Sequence, residues 1–270
     1  HIPLTIVYQN LNPRRDSIKI TVTPNTQPNF DIYTCSGQEV QVKVTDTNYD
    51  SYFINYGDGS SEVQVPVGIL ATDTYMYASA GTNTISVRGK NTNAADNCTP
   101  GATKTVDVIS GSLPTTVIDL LTVSNTNQID LNFPSSTNNI LNRVEIATNT
   151  DVLANFQLMK TIHDVTTTTI TNSSIRADDN YYCFRLGAFD PCNNTTVYPP
   201  DIICSANFDA APINNAINLS WTSSTANVSD FTINRDGIPI GSTGALSFQD
   251  VNIDCTIDTY LYQLITNYSN

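Results

Sequence analysis

Apolar and polar residues alternate in short runs along most of the chain, which is the pattern of half-buried β-strands. In residues 39–44 the valines occupy every second position, and they do so again in residues 61–67. In residues 216–221 the apolar face consists of Ile217, Leu219 and Trp221, the single tryptophan. Asn, Gly, Asp and Pro separate these runs, and long helical periodicity is almost absent. The sequence therefore predicts an all-β fold of tandem Ig-like β-sandwich domains in an extended array.

Breaks in this pattern divide the chain into four parts. A Ser-Gly-Ser-Leu-Pro stretch at 110–114 follows a strand-like run and forms one predicted joint, and a second joint near residue 205 has almost no linker. The predicted parts are N-terminal strands or the tail of a preceding domain at 1–28, a first sandwich at 29–110, a second at 111–204 and a third at 205–270.

The second and third sandwiches repeat each other loosely. Residues 128–133 parallel residues 216–221, and residues 182–186 parallel residues 260–264. Because a seven-stranded sandwich needs one more strand after 260–264, we expect the third sandwich to lack its last strand. Either the parent polypeptide continues, or an extended segment of another copy fills the gap. Residues 2–8 are strand-like and are the candidate donor.

Composition and charge narrow the class of partners. Only 14% of the 270 residues are charged, and the formal net charge is −13. Such a surface lacks the basic footprint of a nucleic-acid-binding protein and is repelled by an anionic membrane face. No run of about 18 apolar residues occurs, so we expect no membrane span. The chain begins with His1 rather than Met, which we interpret as a processed product or an excised piece.

The spacing of the six cysteines indicates disulfides rather than a metal ribbon or a redox motif, because none forms a CxxC pair. In an acidic chain rich in Asn and Thr this predicts an oxidising compartment and an extracellular or cell-surface location. Cys35 ends the opening strand of the first sandwich and Cys98 lies in the turn before its last strand, so we expect these two to pair. The cysteines are at positions 35, 98, 183, 192, 204 and 255.

A second disulfide follows from hairpin geometry. Cys183 lies early in one strand and Cys204 late in the next, so an antiparallel pair centred near 193–194 sets them opposite each other. The competing pairing is Cys192–Cys204; otherwise Cys192 pairs elsewhere or stays free. Cys255 has no convincing partner within the chain.

Residues 52–60, Tyr-Phe-Ile-Asn-Tyr-Gly-Asp-Gly-Ser, resemble the core motif of polycystic-kidney-disease-type (PKD) domains, an aromatic strand that runs into Phe/Tyr-Gly-Asp-Gly. A companion motif follows at 77–89, which is like the family's Tyr-x-x-x-Gly-x-Tyr-x-Ile-x-Val run but lacks its second aromatic residue at 82–83. The resemblance covers about residues 29–109.

The last two predicted sandwiches resemble fibronectin type III modules. Trp221 stands where those modules carry a buried tryptophan, and Phe133 takes that place in the earlier copy. Tyr182 and Tyr260 match the corner tyrosine of the family. A PKD-like domain followed by cysteine-bearing fibronectin-like repeats is similar to large Bacteroidetes surface proteins, which are gliding-motility-associated and exported by type IX secretion. The run 16–18 resembles the O-glycosylation signal of that phylum, which would modify Ser17.

Few residues suggest chemistry. Gly57-Asp58-Gly59 would suit a cation or sugar site, but its composition favours a hairpin turn in which glycines take positive φ and Asp58 accepts backbone N–H bonds. The acidic pair 178–179 lies on a predicted turn, where two carboxylates rarely keep the fixed separation that glycoside hydrolysis needs. We predict no catalytic residues, no metal and no cofactor.

Tyrosines cluster in the first 80 residues and would stack on sugar rings if they formed an exposed row, although in sheets they more often pack across strands. We expect a non-enzymatic structural or adhesive segment of a secreted or cell-surface bacterial protein, which serves as a stalk or adhesin. The alternative is a carbohydrate- or protein-binding accessory module of a larger secreted enzyme. The expected partners are other domains of the polypeptide, other copies, surface proteins or glycans. The tyrosines are Tyr8, Tyr33, Tyr49, Tyr52, Tyr75 and Tyr77.

Overall fold

A computed structural model describes residues 4–7, 15–18, 26–68, 71–92, 101–254, 256–257 and 259–269. Nearly all regular structure in these residues is antiparallel β-sheet, and one 3-10 turn, Leu153–Asn155, is the only helical element among them. The predicted all-β fold of tandem Ig-like sandwiches is confirmed. No helix in the described residues is long and apolar enough to cross a membrane.

The N-terminal part contains a two-stranded antiparallel hairpin. Strand β1 (Leu4–Val7) pairs with β2 (Arg15–Ile18), and Leu4 lies opposite Ile18. Among the described residues this sheet has no third strand.

The first sandwich consists of two sheets. One has the strand order β3-β4-β7 and the other β6-β5-β8-β9. Alternation buries every second residue of β4 and β5, as the sequence predicts. Its strands are β3 (Phe30–Thr34), β4 (Glu39–Val44), β5 (Ser51–Asn55), β6 (Val63–Pro66), β7 (Thr72–Met76), β8 (Gly81–Lys90) and β9 (Gly101–Val108).

The second sandwich repeats this arrangement, with sheets β10-β11-β14 and β13-β12-β15-β16; β17 also pairs with β15. Phe133 and Phe184 lie in its core, together with aliphatic residues from both sheets. Its strands are β10 (Leu120–Asn125), β11 (Gln128–Asn132), β12 (Leu141–Thr148), β13 (Gln157–Ile162), β14 (Thr169–Asn172), β15 (Tyr182–Asp190), β16 (Thr195–Val197) and β17 (Ile203–Cys204).

The third sandwich has the sheets β18-β19-β22 and β21-β20-β23. Trp221 packs against Phe231 with ring centroids 5.2 Å apart, and both are buried. Its strands are β18 (Asn207–Ile213), β19 (Ala216–Thr222), β20 (Val228–Arg235), β21 (Ile238–Thr243), β22 (Ser247–Asp250) and β23 (Tyr262–Tyr268).

The second and third sandwiches each contain a tyrosine corner. The Tyr182 hydroxyl accepts a hydrogen bond from the Arg176 N–H at 2.9 Å, and the Tyr260 hydroxyl accepts one from the Asp254 N–H at 2.6 Å. In each case the bonded amide lies six residues upstream of the tyrosine. The equivalence of Tyr182 and Tyr260 aligns β15 with β23.

The chain packs into two compact units whose limits differ from the predicted domain boundaries. Residues 1–31, 42–73 and 83–105 form one unit, and residues 32–41, 74–82 and 106–270 form the other. The second unit thus contains the second and third sandwiches together with short strand ends of the first.

Candidate functional site

A disulfide within the second unit joins Cys35, just after β3, to Cys192, in the turn after β15. The predicted pairing of Cys35 with Cys98 is therefore wrong; Cys98 itself lies outside the described residues. The physical reason is the packing beside Cys35. Tyr33 forms a buried cluster with Leu141 and Phe189, which brings the end of β3 to the end of β15.

We call the contact around the Cys35–Cys192 disulfide the Cys35–Cys192 joint. Asp190 lies at its centre and is only 1% exposed. Its carboxylate accepts hydrogen bonds from the backbone N–H groups of Ser36 at 3.1 Å, Cys192 at 3.0 Å and Asn193 at 3.2 Å. The Ser36 hydroxyl and the Asn193 side-chain amide donate to it as well. Because its five donors come from Ser36 and from the turn that contains Cys192 and Asn193, this buried carboxylate holds that turn against the segment that contains Ser36.

Burial alone would raise the pKa of Asp190, but hydrogen bonds from Ser36 and Asn193 outweigh burial and lower this pKa below its ordinary value of 3.8. The carboxylate is therefore ionised at neutral pH. In addition, the Arg143 guanidinium stacks 3.3 Å from the ring centroid of Phe189, beside the joint.

The second disulfide joins Cys183 to Cys204, the pair that hairpin geometry predicts. The two residues lie directly opposite each other in the β15–β17 register, with Cα atoms 4.0 Å apart. The competing Cys192–Cys204 pairing is absent because Cys192 lies in the hairpin turn and bonds to Cys35. Cys255 lies outside the described residues.

A third set of contacts links the second and third sandwiches around Cys204. The Tyr268 hydroxyl accepts the Cys204 N–H at 2.7 Å and donates to the Cys204 carbonyl at 3.0 Å. The Ser205 hydroxyl accepts the Tyr182 N–H at 2.9 Å, and the Ser223 hydroxyl donates to the Ser205 carbonyl at 2.9 Å. The short chain between the sandwiches is thus hydrogen-bonded to both of them.

The outer face of the sheet that contains β15 is covered by its own side chains. Arg185 forms a salt bridge with Glu145 at 2.5 Å, and its guanidinium lies 4.0 Å from the Tyr198 ring centroid. A Cβ on Gly187 would lie 2.5 Å from a Tyr198 ring carbon, so glycine there makes room for the ring. Both charged side chains are 16% exposed, which leaves this face without free charges at that point.

The Gly57-Asp58-Gly59 motif is a turn stabilised by its own residues. Gly57 and Gly59 have φ of 79° and 89°, the left-handed region that glycine adopts at little cost. The Asn55 side chain accepts the Gly57 N–H at 2.8 Å, and the Asp58 carboxylate accepts the Ser60 N–H at 3.0 Å. These local bonds stabilise the turn, as its composition predicts.

One cluster in the described residues brings three potential metal-ligating side chains within 4.8 Å of one another: Cys35, Asp190 and Cys192. Its two sulfur atoms are bonded to each other, and the carboxylate accepts five hydrogen bonds. The cluster therefore has the composition of a metal site but the bonding of a structural joint.

The remaining candidates do not converge. Asp179 forms an exposed salt bridge with Arg176 at 2.5 Å, three residues away. Ser17 lies in β2 opposite Thr5, and its glycosylation stays a prediction. Four of the clustered tyrosines are buried, so they pack within the fold and form no exposed row, and Tyr8 lies outside the described residues. The buried tyrosines are Tyr33, Tyr49, Tyr52 and Tyr77.

Sequence reasoning did not identify Asp190 or Tyr268 as important residues. Asp190 stands just before a turn that contains Pro191 and two asparagines. An Asp in this position often accepts hydrogen bonds from the turn, so the sequence did contain a signal for its role. Tyr268 offered none, because its partner lies 64 residues away in the chain.

Comparisons with known proteins leave the family open. No protein-family model and no curated protein matches the chain. Among solved structures it is similar to the FN1–FN3 domains of chicken CNTN1, with 13% identity, a TM-score of 0.31 and coverage of 75% of this chain and 76% of that one. It is also similar to the central fibronectin-III array of RIM-binding protein, with 13% identity, a TM-score of 0.24 and coverage of 92% and 94%. The sheet orders described above define the class, a tandem β-sandwich protein.

Proposed function

We propose that this chain is a non-enzymatic structural segment of a secreted or cell-surface multi-domain protein, and that it bears mechanical tension. The observation that carries the proposal is the Cys35–Cys192 disulfide, which joins residues 157 positions apart. The class of parent protein that we propose is the gliding-associated, type IX-secreted surface proteins that its PKD-like and fibronectin-like motifs resemble. Disulfides suit that oxidising location.

The covalent path explains the mechanical role. When the chain is pulled by its two ends, tension enters at Cys35 and crosses directly to Cys192. The intervening residues 36–182 include most strands of the first two sandwiches, so they are removed from the path that extends under tension. From Cys192 the shortest covalent route runs back along β15 to Cys183 and crosses the second disulfide to Cys204, which is slightly shorter than the direct route through 193–203.

Non-covalent contacts reinforce the places where the two disulfides lie. Asp190 holds the two segments that the first disulfide joins, and Tyr268 holds the third sandwich to Cys204. A buried carboxylate with several donors is costly to expose, and so is a buried backbone pair. The chain is therefore reinforced at two places, Cys35–Cys192 and Cys204, which a stalk needs and a catalytic module does not.

Single-molecule force spectroscopy on the full chain, held at its two ends, tests the proposal. In the variant Cys35→Ser/Cys192→Ser the tension path runs through residues 36–182. We expect about 140 additional residues to be released, roughly 500 Å of contour length at about 3.5 Å per residue.

The matched control is Cys183→Ser/Cys204→Ser. With Cys35–Cys192 intact, its path from Cys192 to Cys204 lengthens by only about 3 residues, roughly 10 Å. Equal contour lengths for the unmodified protein and the Cys35→Ser/Cys192→Ser variant would overturn the proposal.

A further inference from the structure

Strand β23 has a neighbour on one side only. It pairs with β20 along Tyr262–Tyr268, and within the described residues no strand lies on its other side. In the second sandwich the equivalent strand β15 has β12 on one side and β16 and β17 on the other. The outer edge of β23 therefore presents unpaired backbone N–H and C=O groups.

The core beside this edge is also incompletely covered. On β15 the inward residues Phe184 and Leu186 are at most 1% exposed. By the tyrosine-corner alignment, the equivalent residues on β23 are Tyr262 and Leu264, and both remain half-buried although they pack against the Trp221 cluster. An added antiparallel strand would cover these side chains and would also form hydrogen bonds with the backbone groups at the outer edge of β23.

The N-terminal hairpin also has an unpaired strand edge. Its two strands pair only with each other among the described residues, and an isolated two-stranded sheet is marginally stable in water. The sequence of β1, Leu-Thr-Ile-Val, is extended and largely aliphatic. Its edge away from β2 is free to pair with another strand.

Charge favours contact between these two parts. Residues 1–23 contain three basic residues and one acidic residue, a net charge of +2, in a chain of net charge −13. Residues 205–270 contain six Asp and one Arg, a net charge of −5. That arginine, Arg235, is bonded to Asp250 at 2.7 Å.

We propose that the outer edge of β23 binds strand β1 of a second copy of this chain. The contact joins the N-terminal part of one copy to the third sandwich of the next, so it is heterologous and propagates into filaments rather than closed dimers. This assembly is separate from the tension path within one chain, and either proposal can fail without the other.

Complementation between two variants tests the proposal. A chain lacking residues 1–18 keeps only the acceptor edge. The variant Ile265→Lys keeps only the donor, because it places a cation on the exposed part of β23, where Ile265 is 45% exposed. In analytical ultracentrifugation we expect the unmodified chain to form a concentration-dependent series of oligomers. Each variant alone should stay monomeric, at 29.4 kDa for the full-length Ile265→Lys chain and at a correspondingly lower mass for the shortened chain, and an equimolar mixture should form dimers and nothing larger.

The matched control is Ile238→Lys on β21, the opposite edge of the same sheet, where Ile238 is 67% exposed. This variant should form oligomers normally, and circular dichroism should show that all variants remain folded. Amide hydrogen exchange should show that the outer-edge amides of residues 262–268, which do not bond to β20, are protected in the oligomer and unprotected in the monomeric variants.

Three results would overturn the proposal. A monomeric unmodified chain would exclude a second copy, and protection of the outer-edge β23 amides in that monomer would assign the edge to the chain's own hairpin. Oligomers that survive removal of residues 1–18 would show pairing between other edges. Loss of oligomers in Ile238→Lys but not in Ile265→Lys would place the interface on β21.

Discussion

The hydroxyl of Tyr268 binds both backbone groups of Cys204, accepting the N–H at 2.7 Å and donating to the carbonyl at 3.0 Å. One side chain of the third sandwich therefore satisfies the backbone of the residue that closes the second disulfide. Burial raises the pKa of Tyr268, so its hydroxyl stays protonated and able to donate at neutral pH.

Tyr268→Phe should weaken this joint. The ring remains, but the N–H and C=O of Cys204 lose their partner, and an unsatisfied buried polar group costs about 1–3 kcal/mol. Hydrogen exchange followed by mass spectrometry should show faster exchange at residues 203–205 and 262–268. Unchanged exchange there would show that water replaces the hydroxyl without loss.

Asp190→Asn should destabilise the Cys35–Cys192 joint. The amide that replaces one carboxylate oxygen cannot accept hydrogen bonds, so some donors from Ser36, Cys192 and Asn193 lose their acceptor, at a cost of about 1–3 kcal/mol. Urea denaturation at pH 7 measures the loss. The control is Asp164→Asn, because that exposed carboxylate accepts its hydrogen bonds, among the described residues, from its neighbour Thr166.

Asp190 should also make the stability of the folded protein depend on pH. Because the folded-state pKa of Asp190 is lowered, its contribution to stability is present above the unfolded pKa of 3.8 and is lost as pH falls through the folded value. The stability of the unmodified protein should therefore fall below about pH 4 more steeply than that of Asp190→Asn. Parallel pH profiles would contradict this assignment.

The sequence predicts the local parts of this structure because alternation and turn residues act over a few positions. The valines of β4, the turn at Gly57 and the opposed Cys183 and Cys204 all follow from such short-range rules. The disulfide partner of Cys35 does not follow from short-range rules, because it depends on how Tyr33 packs against a strand more than 100 residues away. Composition and pattern fix which face of a strand is buried, whereas the contacts between sandwiches depend on individual side chains.

Gly57→Ala and Gly59→Ala form a matched pair at the Gly57-Asp58-Gly59 turn. Both glycines have positive φ, so alanine costs about 1–2 kcal/mol at either position. A Cβ on Gly57 would also lie 2.3 Å from the Thr84 carbonyl oxygen, whereas a Cβ on Gly59 meets nothing within 4 Å. Thermal unfolding should therefore show a distinctly larger loss for Gly57→Ala, about 3 kcal/mol or more. Equal losses would mean that the backbone of β8 moves away freely.

Trp221→Ala should damage the third sandwich most. Trp221 is 4% exposed and packs between Phe208 and Phe231, and removal of a buried tryptophan costs about 3–5 kcal/mol. Hydrogen exchange of residues 207–268 should rise strongly. Trp221→Phe is the control and should lose less, because the indole N–H has no acceptor among the described residues. A native-like exchange profile in Trp221→Ala would refute the prediction.

Alkaline pH should destabilise the chain through two half-buried phenols. Burial, followed by the nearby carboxylates of Glu145 and Asp250, raises the pKa values of Tyr198 and Tyr262 to about 12. Because the folded pKa values exceed the ordinary value of 10, their contribution to stability is complete below about pH 10 and is lost as pH rises toward 12. Phenolate absorbance of the folded protein should show a late-titrating group of tyrosines that includes these two. Glu145→Gln should shift the titration of Tyr198 to lower pH and leave Tyr262 unchanged; a shift of both, or of neither, would show that burial or another charge controls them.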